Sequence, residues 1–106
     1  MTSDQYHEPA SELTPRTRTF VRIITSLAEE AEAINWYEQR ISVESDEQAK
    51  AIMAGAQEEE VKHFGMTLEF LLRQKPHWRA ALRKILFTEG DIVARGKEGE
   101  KAAEGE

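Results

Sequence analysis

Phe20-Val21-Arg22-Ile23-Ile24-Thr25-Ser26-Leu27-Ala28-Glu29-Glu30-Ala31-Glu32-Ala33-Ile34-Asn35-Trp36-Tyr37-Glu38-Gln39-Arg40-Ile41 is the stretch on which the fold turns. Within it, Phe20, Ile23, Leu27, Glu30, Ile34, Tyr37 and Ile41 recur at alternating steps of 3 and 4 residues. That spacing lays one stripe along a helix that packs in a bundle. Every member is apolar or aromatic except Glu30 at the centre. A carboxylate on a covered face is costly unless something pairs with it, so Glu30 is the first candidate functional residue.

Outward from this stripe, Thr14-Pro15 reads as the helix start. Thr caps free amides, and Pro at the first helical position sacrifices no hydrogen bond. The spacing predicts a helix from there to about Ile41, roughly 40 Å long at 1.5 Å per residue. Ser42-Val43-Glu44-Ser45 breaks it. Ser45 with Gln48 forms a capping-box pattern, and Asp46 and Glu47 stand where the helix dipole favours anions. A second helix follows from about Asp46 to Gln74, stopped by Lys75-Pro76. Its interior glycines, Gly55 and Gly65, either weaken it by up to about 1 kcal/mol each or admit a closely packed neighbour. Residues 77–87 form a short amphipathic helix with Trp78, Leu82 and Ile85 on one stripe. The expected organisation is therefore a flexible arm over residues 1–14, a helical hairpin domain over 15–90, and a disordered charged tail over 91–106. No period-2 strand pattern is present. The fold class is all-α: an antiparallel two-helix hairpin with a short C-terminal helix, completed to four helices by a second copy.

Composition narrows the function. The chain has 106 residues, with 14 Lys+Arg against 20 Asp+Glu, a net charge of −6. That balance opposes nucleic-acid binding, which needs a basic footprint, and suits cations. Without cysteine there is no disulfide framework, thiolate metal site or thiol nucleophile. No apolar run reaches the ~20 residues of a membrane span, and the N-terminus has no signal pattern, so a soluble cytoplasmic protein without membrane partners is expected. A hydrophobic share of 40% supports a modest core, to which partner chains commonly add.

The second helix repeats the anomaly of the first. Met53, Ala56, Glu60, His63, Thr67 and Phe70 form one possible seam, and Ile52, Ala56, Glu59, His63, Met66 and Phe70 another. Periodicity alone places His63 on the inner face and leaves Glu59 and Glu60 competing. Chemistry favours Glu60, because a Glu and a His at i, i+3 present a carboxylate and an imidazole to the same metal in di-iron bundles. One such pair with one further Glu is half of a di-iron ligand set. A two-fold axis supplies Glu30, Glu60 and His63 twice, giving four carboxylates and two imidazoles for two Fe ions per subunit pair. The plainer reading makes Glu30 a register-setting polar residue and His63 a core histidine. Three ionisable groups at one level of the hairpin favour metal. Glu29 and Glu32 share another face, either as a solvated flank or as a hydrated site that collects Ca or another divalent cation. For Tyr37, packing is favoured over bonding to a ligand carboxylate or electron transfer. Trp36 reads as packing or interface.

Three stretches carry a resemblance. Residues 29–40, the run Glu58-Glu59-Glu60-Val61-Lys62-His63 leading into Met66-Thr67-Leu68-Glu69-Phe70-Leu71, and the closing Leu86-Phe87-Thr88-Glu89-Gly90 resemble the encapsulated ferritins. These are encapsulin-cargo members of the ferritin-like superfamily. The resemblance implies a hairpin subunit, a ferroxidase centre between two subunits, and dimers assembled into a decameric ring. It implies Glu30, Glu60 and His63 as ligands, Glu29 and Glu32 as iron-collecting glutamates, and the Trp36-Tyr37 pair beside the centre. It also implies an encapsulin shell partner and a place inside that nanocompartment. Such proteins usually end in a short apolar peptide that binds the shell wall, whereas Glu100-Lys101-Ala102-Ala103-Glu104-Gly105-Glu106 is acidic. Shell loading is thus expected to use such a peptide beyond this stretch or another signal. The expected function is a ferroxidase that oxidises Fe(II) to Fe(III) with O₂ and supplies iron for storage. The rival is a non-catalytic, oligomerising helical scaffold.

Overall fold

The computed structural model describes residues 6–105. Residues 1–5 of the expected N-terminal arm, and Glu106, lie outside the described residues. Between Tyr6 and Thr14 the chain makes one turn of 3-10 helix, Ala10–Glu12. Among the described residues there are four α-helices and no strand: α1 (Pro15–Val43), α2 (Glu47–Gln74), α3 (Pro76–Arg83) and α4 (Ile92–Glu104). No described helix is long and apolar enough to cross a membrane.

The ends of the helices follow local chemistry. The Thr14 side chain accepts from the Thr17 N–H at 3.0 Å, and Pro15 takes the first position of α1. At the start of α2 the structure corrects the sequence reading. Asp46, not Ser45, is the cap, its Oδ1 accepting from the Ala49 N–H at 2.8 Å. Glu44 Oε2 accepts in turn from the Asp46 N–H at 3.0 Å. A carboxylate at this point satisfies an orphan donor as a hydroxyl would, and in addition sets a negative charge against the positive end of the helix dipole.

The chain divides into two compact units, one reaching Glu69 and the other starting at Phe70, so the expected domain over residues 15–90 splits within α2. In the first unit, α1 and α2 form an antiparallel hairpin. The Gln57 amide fixes their register, donating to the Ile34 carbonyl at 3.2 Å and to Glu38 Oε1 at 2.9 Å. All seven positions of the α1 stripe are half-buried, while Asn35, Trp36, Glu38 and Gln39 beside it are exposed. Yet none of the 29 residues of α1 is fully buried. Ile24, Trp36 and Val43 on α1 and Ile52, Val61 and Met66 on α2 are exposed. The hairpin covers one side of each helix and leaves apolar side chains on the other.

The second unit holds the core. Leu71 and Leu72, near the end of α2, are buried to 3% and 8% exposure. α3 and α4 pack together through Gly99, which is buried. A Cβ at Gly99 would lie 2.7 Å from the Ala81 carbonyl oxygen and 3.1 Å from Ile85 Cδ1, so only glycine permits this approach. Within the stretch 91–106, expected to be disordered, Ile92–Glu104 is instead a helix. Asp91 caps α4 by accepting from the Val93 N–H at 3.2 Å, and Arg95 pairs with Glu98 at 2.8 Å. A helix this short with two internal glycines is marginal alone; packing against α3 holds it. The connector between α3 and α4 turns through Phe87 at φ 60° and Gly90 at φ 87°, both left-handed.

Candidate metal centre

Glu30 stands at the middle of the half-buried α1 stripe. Its Oε1 accepts a hydrogen bond of 2.8 Å from the Thr67 hydroxyl on α2. The same hydroxyl lies 3.0 Å from the carbonyl oxygens of His63 and Phe64. A hydroxyl has one proton, so donating to the shorter, charge-assisted contact leaves the carbonyls as weaker competitors. The Thr67 contact ties one oxygen of the carboxylate to the opposite helix.

The two cross-helix contacts bracket the other candidate ligands. Gln57 meets Ile34, and Thr67 meets Glu30; Glu60 and His63 lie between residues 57 and 67 on α2. Glu30 thus meets α2 at Thr67, which lies one turn beyond His63 and about two turns, roughly 10 Å at 1.5 Å per residue, beyond Glu60. Met53, Glu60 and Thr67, the positions peculiar to the first seam, are half-buried, whereas Ile52, Glu59 and Met66, peculiar to the second, are exposed; of the shared positions Ala56 is half-buried and His63 and Phe70 are exposed. His63 is exposed rather than on a covered inner face. The i, i+3 pair thus straddles the border of the covered side, Glu60 half-buried and His63 exposed.

Glu59 is engaged elsewhere. Lys62 Nζ sits 2.9 Å from its Oε2, with both side chains well exposed. The hydrogen bond and charge of Lys62, with a smaller pull from His63, hold the Glu59 carboxyl below the ordinary glutamate range. Among the described residues no three His, Asp or Glu side chains converge closely enough to hold a metal ion. One copy carries two carboxylates and an imidazole along the middle of the hairpin, a donor set suited to a first-row divalent metal, without gathering them.

The remaining candidates flank these residues. Glu29 is exposed and Glu32 half-buried. Tyr37 is half-buried with the Arg40 guanidinium 5.5 Å from its ring centroid, and Trp36, 47% exposed, lines a shallow open depression with Gln39 and Arg40. Thr67 and Gln57 escaped attention as site residues. The signal for Thr67 was present: it is the one hydroxyl in a seam of apolar and ionisable side chains, one turn beyond His63.

Comparisons with known proteins extend this picture. The family model described as EncFtn-like matches residues 5–89, so α4 lies beyond the match. A "Ferritin-like protein" of Thermotoga maritima is 48% identical over 91 residues, covering 86% of this chain and 80% of that protein. An "Encapsulated ferritin-like protein" of Rhodospirillum rubrum is 44% identical over 92 residues, covering 87% of this chain and 66% of that protein. Among solved structures, protein ne0167 from Nitrosomonas europaea superposes with a TM-score of 0.81 at 41% identity, covering 85% of this chain and 99% of that one.

Proposed function

This chain belongs to the EncFtn-like family, and on that premise we propose that it is a ferroxidase whose site forms between two copies. Each copy contributes Glu30, Glu60 and His63 across a two-fold axis, and together they bind two Fe(II) as substrate. The observation that carries this reading is Glu30: a half-buried carboxylate in an apolar stripe, held by Thr67 one turn beyond an exposed His63. A hairpin that leaves its imidazole exposed supports completion by a partner surface.

The chemistry follows from the donors. Four carboxylates brought together repel one another, and divalent cations relieve that repulsion. Two Fe(II) give one electron each to O₂, which takes up two protons and leaves as H₂O₂, with two Fe(III) as the other product. Anionic oxygen donors favour the more highly charged product ion, so they assist the loss of electrons. Thr67 fixes the direction of the Glu30 carboxylate, the kind of supporting contact that tunes a metal ligand. Glu29 and Glu32 collect Ca or other divalent cations on the way in, and Trp36 and Tyr37 flank the centre.

Further assembly of the dimers, to a decameric ring, is proposed on family likeness alone. A hairpin encloses no storage cavity, so a container is needed. The Rhodospirillum rubrum relative is by name encapsulated, and we assign this chain to an encapsulin compartment in the cytoplasm by that likeness. The test is aerobic Fe(II) oxidation followed by absorbance, with gel filtration before and after iron loading. Glu30→Ala, Glu60→Ala and His63→Ala are each expected to slow oxidation at least about tenfold. Wild-type rates in all three variants would eliminate the ferroxidase and leave an oligomerising scaffold.

A further inference from the structure

We propose that Arg83, Lys84, Leu86 and Phe87, at the end of α3, form a docking surface for the acidic hairpin turn of a second copy, centred on Val43 and Ile52. This contact goes beyond the metal-bridged pairing and does not rest on it.

Charge is divided unevenly along the chain. The unit ending at Glu69 has 6 basic and 14 acidic residues, net 6 − 14 = −8, whereas the rest of the chain has 8 and 6, net 8 − 6 = +2. Within the second part, residues 70–88 carry Arg73, Lys75, Arg79, Arg83 and Lys84 and no Asp or Glu. A concentrated basic segment on an acidic protein selects an acidic partner surface.

Apolar exposure marks the spot. Arg83 and Lys84 are exposed, Leu86 is 41% exposed, and the Phe87 side chain stands fully in solvent. Phe87 also holds φ 60°, a left-handed conformation that a bulky residue rarely adopts. Such backbone outliers gather at binding sites, and aromatic residues and Arg are enriched at protein–protein interfaces.

The complementary surface is on the same chain. Among the described residues of the hairpin unit, Val43 and Ile52 are the most exposed large apolar side chains, at 82% and 74%. They stand five residues either side of the Glu38–Gln57 hydrogen bond, so the antiparallel register puts them at one level. Between them lie Glu44, Asp46 and Glu47, with no cation before Lys50. Apolar pairs ringed by opposite charge thus face one another when two copies meet. Because the two surfaces differ, the contact links different faces of the two copies.

The experiment weighs the protein in solution with iron chelated, by sedimentation, in dilute buffer and in about 1 M salt, where the screening length is only about 3 Å. The expected result is that the mass falls by about half or more in high salt, as it also does in dilute buffer for the pair Arg83→Glu and Lys84→Glu. Phe87→Ser is expected to lower the mass in both buffers. The exchange Lys84→Glu with Glu47→Lys should restore assembly that Lys84→Glu alone weakens. Should the Glu47 variant lose helix by circular dichroism, the salt series on the unaltered protein decides. A mass indifferent to salt and to the reversal at residues 83 and 84 overturns the proposal; so does a patch that binds a foreign acidic protein while the chain's own mass stays constant. Chelation keeps the result independent of the iron site.

Discussion

Thr67 is the residue through which α2 positions the Glu30 carboxylate, at 2.8 Å. Removing the hydroxyl in Thr67→Val leaves the carboxylate in place but undirected. The expected result is a loss of about 1 kcal/mol in hairpin stability by thermal unfolding, with slower Fe(II) oxidation than wild type and faster than Glu30→Ala. A rate as low as that of Glu30→Ala would make Thr67 indispensable rather than supporting. Glu59 gives the contrasting case. Its exposed bond to Lys62 occupies it away from the α1 stripe, and exposed pairs contribute little to stability. Glu59→Gln is therefore expected to oxidise Fe(II) at the wild-type rate, whereas Glu60→Gln is not; stopped-flow absorbance separates the two.

Among the elements, α4 shows most clearly how close packing is decided by an absent side chain. Gly99→Ala would put a methyl 2.7 Å from the Ala81 carbonyl oxygen, a backbone atom that yields only if α4 moves. Overpacking of this kind costs about 1–3 kcal/mol, partly offset by the better helix propensity of Ala. The expected outcome is faster amide exchange throughout Ile92–Glu104. Gly96 has nothing within 4 Å of a built Cβ, so Gly96→Ala is expected to slow that exchange, by a propensity gain of about 1 kcal/mol. The same element shows where the sequence was readable. The alternation of three and four from Phe20 to Ile41 made α1 legible, and Thr14-Pro15 located its start, because both signals are local. Residues 92–104 are polar with internal glycines, and what makes them helical is a tertiary contact at Gly99 that composition does not encode. At the site, spacing singled out Glu30 as the ionisable residue of the α1 stripe, while between Glu59 and Glu60 it left a tie that only metal-ligand chemistry broke. It could not tell that His63 would lie outside the face α1 covers, since a helix stripe records that a side is covered and not by which chain.

At the scale of the whole molecule, each copy bears half of the proposed ligand set, so activity belongs to the pair. The rate of Fe(II) oxidation per chain is expected to fall on dilution as pairs separate, following the mass measured by sedimentation over the same range. Loading with Fe(II) before dilution is expected to protect both, because an ion held by two copies stabilises their union by mass action. A constant rate per chain down to concentrations at which only single copies sediment would assign the activity to one hairpin.

None of the residues along α1 is fully buried, and this bears on the life of a newly made copy. A helix kept by half-covered contacts opens readily, offering its backbone to proteases and its apolar side to aggregation. On the proposed pairing, a lone copy is therefore expected to be cut by protease faster than a paired one, whose apolar side a partner covers.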